Sequence, residues 1–175
     1  PHAPELGRVS IFNRSHYEDV LVVRVHELVP AEVWKQRYDH INAFEELLAD
    51  AGTIVLKFFL HVSKAEQKRR FLERIDDPTK NWKFSSADLS ESLRWDDYMQ
   101  AYEECIRATS TDHAPWWVIP ADRKYVTRSL VSGIVRQTLE GLDLRYPVLP
   151  PEEQARLAEA RTQLVALREG RDSTA

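Results

Sequence analysis

The hydrophobic positions of the chain fall into two kinds of pattern. Short continuous apolar runs, typical of buried strands, lie at residues 9–12, 53–62 and 116–119. Longer stretches with apolar residues three and four positions apart predict helices at residues 17–29, 31–51, 63–77, 88–108 and 121–142. Strands that alternate with helices in this order predict an α/β fold, in which a parallel sheet is covered by helices on both faces.

Two serines predict where helices begin. Ser15 stands three residues before Glu18, and Ser63 stands three residues before Glu66. In this capping-box spacing the serine oxygen accepts a hydrogen bond from an unpaired amide of the first turn, and the glutamate reaches back to the cap amide. Gly52 is placed to end the second helix, because glycine readily adopts the left-handed conformation that follows a helix.

The chain changes character after Tyr146. Prolines at positions 147, 150 and 151 predict a stiff connection, and residues 152–169 have an alanine-rich, charged and amphipathic pattern. We therefore expect one main domain over residues 1–147 and a charged amphipathic helical tail over residues 148–175.

The composition excludes several classes of protein. The five glycines, at positions 7, 52, 133, 141 and 170, are too far apart for a glycine-rich phosphate loop. The single cysteine cannot form an internal disulfide, and no apolar stretch has the length of a signal peptide or a membrane span, so we expect a cytoplasmic protein. A net charge of −4 argues against general binding of nucleic acid.

Charged residues follow each predicted strand, at residues 13–19, 64–70 and 121–124. Ligands of parallel α/β sheets bind beyond the carboxyl ends of the strands, so these segments predict a polyanion site. Residues 64–83 contain seven basic and four acidic residues, although the chain as a whole is negative. The alternative for this stretch is a solvated helix face on which glutamate and arginine pair with each other.

Three runs of the sequence resemble the polyphosphate kinase 2 family, whose members transfer phosphoryl groups between inorganic polyphosphate and nucleotides. GRVSIFNRSHYEDVLVVRVHELVP is similar to the family's Walker B region. LKFFLHVSKAEQKRRFLERIDDPTKNWKFS resembles a later strand and the lid, and LRWDDYMQAYEECIRATSTDHAPWWVIPADRKYVTRSLV resembles the last core strand and helix. The resemblance extends over about residues 7–147.

The resemblance implies a P-loop kinase of the thymidylate-kinase-like type, with a three-layer α/β architecture and a helical lid at about residues 63–90. The family's Walker A loop precedes the FNRSHYED run, and the glycine spacing provides no such loop here. The N-terminal part of the fold is therefore expected to be missing, and this chain alone is expected to lack activity if nothing replaces that loop.

The resemblance also implies a set of site residues. Arg14, Glu18 and Asp19 are the expected catalytic residues, and the two carboxylates are the expected ligands of Mg²⁺. The expected substrate-binding residues are Asn13 and Arg24 near them, together with the lid cations Lys68, Arg69, Arg70, Arg74, Lys80 and Lys83. The expected partners are inorganic polyphosphate, AMP, ADP or guanine nucleotides, and further copies of the chain in a dimer or tetramer.

Two alternatives stay open at this point. The chain could be another P-loop nucleotide kinase that uses ATP and a small acceptor, although a small acceptor does not need so many lid cations. It could instead be a non-catalytic remnant that binds polyanions or forms oligomers, a reading that the missing glycine-rich loop favours.

Overall fold

The computed structural model describes residues 3–172 and places the predicted helices and two of the three predicted strands. Two short 3₁₀ turns, His16–Asp19 and Asn81–Lys83, accompany the longer elements. Those elements, in chain order, are α1 (Val22–Val25), α2 (Ala31–Asp50), β1 (Lys57–His61), α3 (Lys64–Asp76), α4 (Ser86–Leu93), α5 (Trp95–Thr109), β2 (Trp116–Pro120), α6 (Lys124–Glu140) and α7 (Pro151–Asp172).

The sheet of the described residues has two parallel strands. β1 pairs with β2 in register, from Lys57 opposite Trp116 to His61 opposite Pro120. The prediction of a longer strand at residues 53–62 was wrong at both ends, because only these five positions find a partner. Trp117 and Val118 point to opposite faces of the sheet and both are exposed, so both faces of β2 are open to solvent at these two positions in the described part of the chain.

Residues 9–12 do not form the predicted strand. Val9, Ile11 and Phe12 are exposed, and the segment has irregular backbone. An apolar run becomes a strand only when a neighbouring strand pairs with its amides and carbonyls, and within residues 3–172 no strand lies beside it. The prediction failed because the sequence pattern reports apolar character but not the presence of a partner.

The helical predictions were confirmed where a cap defined the boundary. α2 begins at Ala31, directly after Pro30, and ends at Asp50. Ala51 is its C-cap, and Gly52 follows with a φ of 84°. Ser63 caps α3, since its Oγ accepts a hydrogen bond from the amide of Glu66 at 3.2 Å.

Two predicted helices are interrupted. The helix expected at residues 17–29 is a 3₁₀ turn followed by the single turn α1, which ends where Glu27 adopts a left-handed φ of 51°. The helix expected at residues 88–108 is divided at Arg94 into α4 and α5. Ser85 and Asp88 form a capping box that starts α4, and the spacing of these two residues in the sequence is typical of a helix start.

The described residues divide into two compact units, and the boundary between the units lies between Gly133 and Ile134. The core of the first unit lies between residues 17–25, α2 and α5, and contains Tyr17, Val20, Leu21, Val25, Ile41, Ala101 and Cys105. Cys105 packs there as the small hydrophobic residue that its place in a helix indicates. The second unit holds the end of α6 and the charged helix α7, which agrees with the helix predicted in the tail. Within residues 3–172, no helix is both long and apolar enough to cross a membrane.

Candidate active site

The carboxyl ends of β1 and β2 lie at one edge of the sheet, as the sequence predicted. The amide of Ala121 donates to the carbonyl of His61 at 2.9 Å, and the amide of Ser63 donates to Asp122 Oδ1 at 2.7 Å. Two of the three charged segments, residues 63–70 and 121–124, are therefore in contact. Among the described residues, no hydrogen bond or ion pair joins the third segment, residues 13–19, to α3.

Arg14 stands at the start of the 13–19 segment in an unusual backbone conformation. Its φ of 71° lies in the left-handed region, which costs an arginine about 1–2 kcal/mol. Its side chain is 80% exposed, and Nε lies 3.7 Å from Glu18 Oε1. Conformations of this kind persist where the surrounding structure determines them, and they concentrate at functional sites. The guanidinium is therefore presented to solvent from a defined backbone position.

Ser15 caps the 3₁₀ turn that follows Arg14. Its Oγ accepts a hydrogen bond from the amide of Tyr17 at 3.5 Å, so its role as a cap is confirmed. The prediction that Glu18 completes a capping box has no counterpart in the hydrogen bonds of the described residues, and the Glu18 carboxylate faces Arg14 instead. This difference arises because a 3₁₀ turn is tighter than an α-helical turn and places its third residue differently.

Tyr17 connects the 13–19 segment to the interior. Its hydroxyl donates to Glu45 Oε1 at 2.8 Å and accepts from Lys57 Nζ at 3.0 Å, and its ring packs edge-on against Trp116 with centroids 4.8 Å apart. Neither Glu45 nor Lys57 was among the predicted site residues. The sequence did carry a signal for both, since Lys57 interrupts the apolar run TIVLKFFLHV and Glu45 lies four residues after Ile41 on the buried face of α2.

Glu18 and Asp19 are adjacent carboxylates with different surroundings. Glu18 is half-buried, and its charge acts on Tyr102. Burial of the Tyr102 hydroxyl, and then the negative charge of Glu18, raise the pKa of Tyr102. The Tyr102 ring lies 4.5 Å from the ring of Phe59. The Asp19 side chain is 65% exposed, and Arg37 Nη1 donates to its backbone carbonyl at 2.8 Å.

These two carboxylates fit the ligand preference of Mg²⁺, which binds to one or two carboxylates while keeping waters or substrate phosphate oxygens as its other ligands. Over the described part of the chain, no group of three metal-ligating side chains exists. Any metal held by Glu18 and Asp19 would therefore take the rest of its ligands from water and substrate.

Arg24 lies away from solvent, in contrast to Arg14. Nη1 and Nη2 each lie 2.7 Å from a carboxylate oxygen of Glu104, and the guanidinium lies 4.7 Å from the centroid of the Trp34 ring. The position expected for a substrate-binding cation is thus occupied by an ion pair within the protein. Asn13, the other residue expected near the phosphates, is exposed.

Arg69 and Arg70 share one carboxylate on α3. Arg69 donates to Glu66 at 2.7 and 2.8 Å, and Arg70 Nε donates to Glu66 Oε1 at 2.8 Å. The hydrogen bonds from Arg69 and then Arg70 lower the pKa of Glu66 to about 2. Arg70 Nη2 also donates to the carbonyls of Ala121 and Asp122, at 2.7 and 3.1 Å. Arg70 therefore connects the start of α3 to the segment that follows β2.

The remaining lid cations fall into a paired and an unpaired group. Arg74 lies 3.8 Å from Asp88, and Lys80 lies 2.7 Å from Asp77. Within residues 3–172, Lys68 and Lys83 have no ion pair with a carboxylate, and Lys83 Nζ lies 5.0 Å from the ring centroid of the exposed Trp82. The alternative of a solvated helix face, on which basic and acidic side chains pair with each other, thus accounts for most of the basic residues at positions 64–83. It does not account for Lys68 and Lys83.

Comparisons with known proteins agree with the resemblance. The family described as Polyphosphate kinase 2 (PPK2) matches residues 1–147. The AMP/ADP-polyphosphate phosphotransferase of Meiothermus ruber is 58% identical over 144 residues, which are 82% of this chain and 54% of that protein. The ADP-polyphosphate phosphotransferase of Rhodopseudomonas palustris is 48% identical in an alignment 174 residues long, which covers 93% of this chain and 60% of that protein.

A solved structure gives the same result. The crystal structure of Polyphosphate Kinase 2 from Arthrobacter aurescens TC1 superposes with a TM-score of 0.84 at 44% sequence identity, over 90% of this chain and 56% of that one. The chain therefore spans between half and two thirds of the length of these three relatives.

Proposed function

Because this chain belongs to the polyphosphate kinase 2 family, we propose that it carries the phosphate-site and lid portion of a phosphotransferase acting between inorganic polyphosphate and AMP or ADP. The names of the two curated relatives support this substrate class. The observation that carries the proposal is the 13–19 segment, in which a left-handed, exposed Arg14 is followed by two carboxylates. We further propose that β1 and β2 belong to a sheet of the P-loop kinase type.

Arg14 is the residue proposed to contact the transferred phosphoryl group. A guanidinium donates two parallel hydrogen bonds to phosphate oxygens, and phosphoryl transfer needs cations where charge builds up on those oxygens. Glu18 and Asp19 would hold Mg²⁺, which when bound neutralises charge on the phosphates. Glu18 Oε1 lies close enough to Arg14 to orient the guanidinium between turnovers without filling its hydrogen-bonding positions.

The lid is proposed to bind polyphosphate in two stages. Lys68 and Lys83 are free of carboxylate partners among the described residues and would make the first contacts. Arg69, Arg74 and Lys80 would follow by exchanging their carboxylate partners for phosphate oxygens. Arg70 is excluded from this exchange, since its bonds to the carbonyls of Ala121 and Asp122 hold the lid to the sheet.

A second candidate function is polyanion binding without catalysis. The glycine spacing favours it, because no pair of glycines in the chain is close enough for a Walker A loop. The two candidates share the lid and differ in whether the 13–19 segment takes part in turnover.

The experiment that separates them is a phosphoryl-transfer assay with polyphosphate, Mg²⁺ and AMP or ADP, run on this chain and on a fusion that adds the part of the Meiothermus ruber relative that this chain does not match. Polyphosphate binding is measured in parallel by calorimetry. Arg14→Ala is expected to lower turnover about 10²-fold or more, as the loss of one group that stabilises a transition state does. The matched control is Arg107→Ala, since Arg107 is also an exposed arginine paired with a glutamate four residues away.

Turnover that depends on Arg14 but not on Arg107 supports the phosphotransferase. Polyphosphate binding without turnover, in the fusion as well as in the chain alone, supports the second candidate, and the absence of both contradicts the two candidates together. Turnover that survives Arg14→Ala unchanged contradicts the role of Arg14.

A further inference from the structure

Two charged side chains lie in the interior of the first unit, outside the residues assigned above. Glu45 is 1% exposed and Lys57 is 6% exposed. Removing both charges from water is costly, and an apolar pair of similar volume often gives equal or greater stability at such a place. This pair therefore calls for an explanation other than stability.

The hydrogen bonds of the pair are complete. Lys57 Nζ uses its three donors on Glu45 Oε2 at 2.6 Å, the carbonyl of Thr109 at 2.6 Å and the Tyr17 hydroxyl at 3.0 Å. Glu45 Oε1 accepts from the Tyr17 hydroxyl at 2.8 Å and lies 3.6 Å from His16 Nε2. α2, β1 and the end of α5 thus meet the 13–19 segment at one point.

The electrostatic state of the pair is consistent with this geometry. Burial by itself would raise the pKa of Glu45, but its neighbours His16, Lys57 and Tyr17 outweigh burial and hold that pKa below its ordinary value. Glu45 is therefore a carboxylate at neutral pH, which can accept hydrogen bonds from Tyr17 and Lys57 together.

We propose that Glu45 and Lys57 are positioning residues for the 13–19 segment. The pair holds the Tyr17 hydroxyl by two hydrogen bonds. Tyr17 stands three residues after the left-handed Arg14 and directly before Glu18. A strained backbone at Arg14 needs neighbours that determine its conformation, and an apolar replacement of the pair would fill the space without bonding to Tyr17. The chemical role of the 13–19 segment rests on the proposed function. The claim that Glu45 and Lys57 hold this segment in its conformation does not depend on that function.

The test uses the full chain and three variants. Glu45→Leu combined with Lys57→Met removes the charges and fills the space, Tyr17→Phe removes one hydroxyl, and Glu45→Gln keeps an acceptor oxygen at position 45. Amide hydrogen exchange, followed by mass spectrometry of peptides covering residues 13–21, α2 and α5, is the first readout. The kcat and KM of polyphosphate-dependent phosphoryl transfer, measured in the fusion described above, are the second.

We expect the double variant to accelerate exchange at residues 13–21 about tenfold or more, which corresponds to the loss of hydrogen bonds to charged groups, while α2 and α5 exchange as in the parent. Tyr17→Phe should produce the same pattern, and Glu45→Gln should restore part of the protection. kcat should fall with KM nearly unchanged, because the lid that binds polyphosphate is intact.

Unchanged exchange at residues 13–21 in the double variant would overturn the proposal. Equal acceleration in all peptides would overturn it too, because that result indicates a role in global stability alone. If the double variant does not fold, the exchange pattern of Tyr17→Phe decides between these outcomes. A fusion without turnover contradicts the proposed function, and the exchange readout on the chain itself still decides the role of Glu45 and Lys57.

Discussion

Arg14 and Arg24 are ten positions apart, and their guanidinium groups are held in opposite ways. Arg14 is exposed on a left-handed backbone, with its nearest carboxylate oxygen 3.7 Å away. Arg24 is mostly buried between the Trp34 ring and two oxygens of Glu104. The first arrangement leaves the hydrogen-bonding edge of the guanidinium free for phosphate, and the second uses that edge within the protein. The structure thus favours different roles for two arginines that the sequence placed in one site.

Arg24→Ala is accordingly expected to lower the free energy of unfolding by about 2 kcal/mol, through the lost hydrogen bond and ion pair with Glu104 and the lost contact with Trp34. Glu104→Gln is expected to lower it by about 1 kcal/mol, since a neutral amide still accepts one hydrogen bond. Urea unfolding of both variants measures this. If Arg24→Ala leaves stability unchanged and raises only the KM for a substrate, the guanidinium is a substrate ligand and the structural role is wrong.

Residue roles were predictable where they depend on near neighbours in the sequence. The spacing of Ser63 and Glu66 predicted the cap of α3, and the position of Gly52 predicted the end of α2. The contacts of Arg24 with Glu104 and of Lys57 with Tyr17 join residues 80 and 40 positions apart. Such pairs depend on how helices pack, which no local spacing records.

At the scale of elements, α3 carries far less free positive charge than its sequence suggests. Arg69 and Arg70 share Glu66, and Lys80 at the following turn has carboxylate partners of its own. Among the described residues, the predicted lid cations without an ion pair are therefore Lys68 on α3 and Lys83 in the 3₁₀ turn. A long polyanion would meet these two cations first.

Replacing Lys68 and Lys83 together by alanine is expected to weaken polyphosphate binding about tenfold, which is the loss of two modest charged contacts. The dependence of affinity on salt concentration should become less steep, because fewer charges are neutralised. Calorimetric titration with polyphosphate at two salt concentrations measures both effects. The charge-matched control is Lys35→Ala with Arg107→Ala, on α2 and α5. If the affinity for polyphosphate and its salt dependence do not change, α3 presents only a solvated helix face and does not bind polyphosphate.

Elements were predictable in proportion to how much of their stability is local. α2, α3 and α6 lie close to the predicted helices, since helical hydrogen bonds form within the segment itself. Residues 9–12 and the outer parts of 53–62 failed as strands because a strand depends on a partner elsewhere in the chain. The break at Arg94 depends on a distant partner as well, since its guanidinium donates to the carbonyl of Val25 at 3.1 Å.

At the scale of the whole molecule, apolar side chains remain exposed around the sheet. Leu60, Trp117 and Val118 on the strands are exposed, as are Val9 and Ile11 on the segment before Arg14. Parallel sheets are covered on both faces in stable proteins, and exposed apolar patches mark surfaces that bind other polypeptide.

The chain is therefore expected to self-associate, with a weight-average mass that rises above 20.4 kDa as its concentration increases. Val118→Lys should weaken this association about tenfold or more, because it removes a valine that would otherwise be buried and places a charge on the strand. Sedimentation velocity over a concentration series measures the effect. Leu93→Lys, at an exposed leucine on α4, is the control for charge. A chain that stays at the monomer mass over the whole series contradicts this expectation.

The bonds of Arg70 also define the mechanics of the predicted lid. They join α3 to the sheet in its second turn, through the carbonyls of Ala121 and Asp122. A rotation of the lid that began at Ser63 would break these bonds, whereas a rotation that begins beyond Arg70 leaves them intact. We therefore expect a rotation of the lid to begin beyond Arg70, near Pro78, where α3 has ended. On this expectation Lys68 lies on the stationary side of the hinge and Lys83 on the moving side.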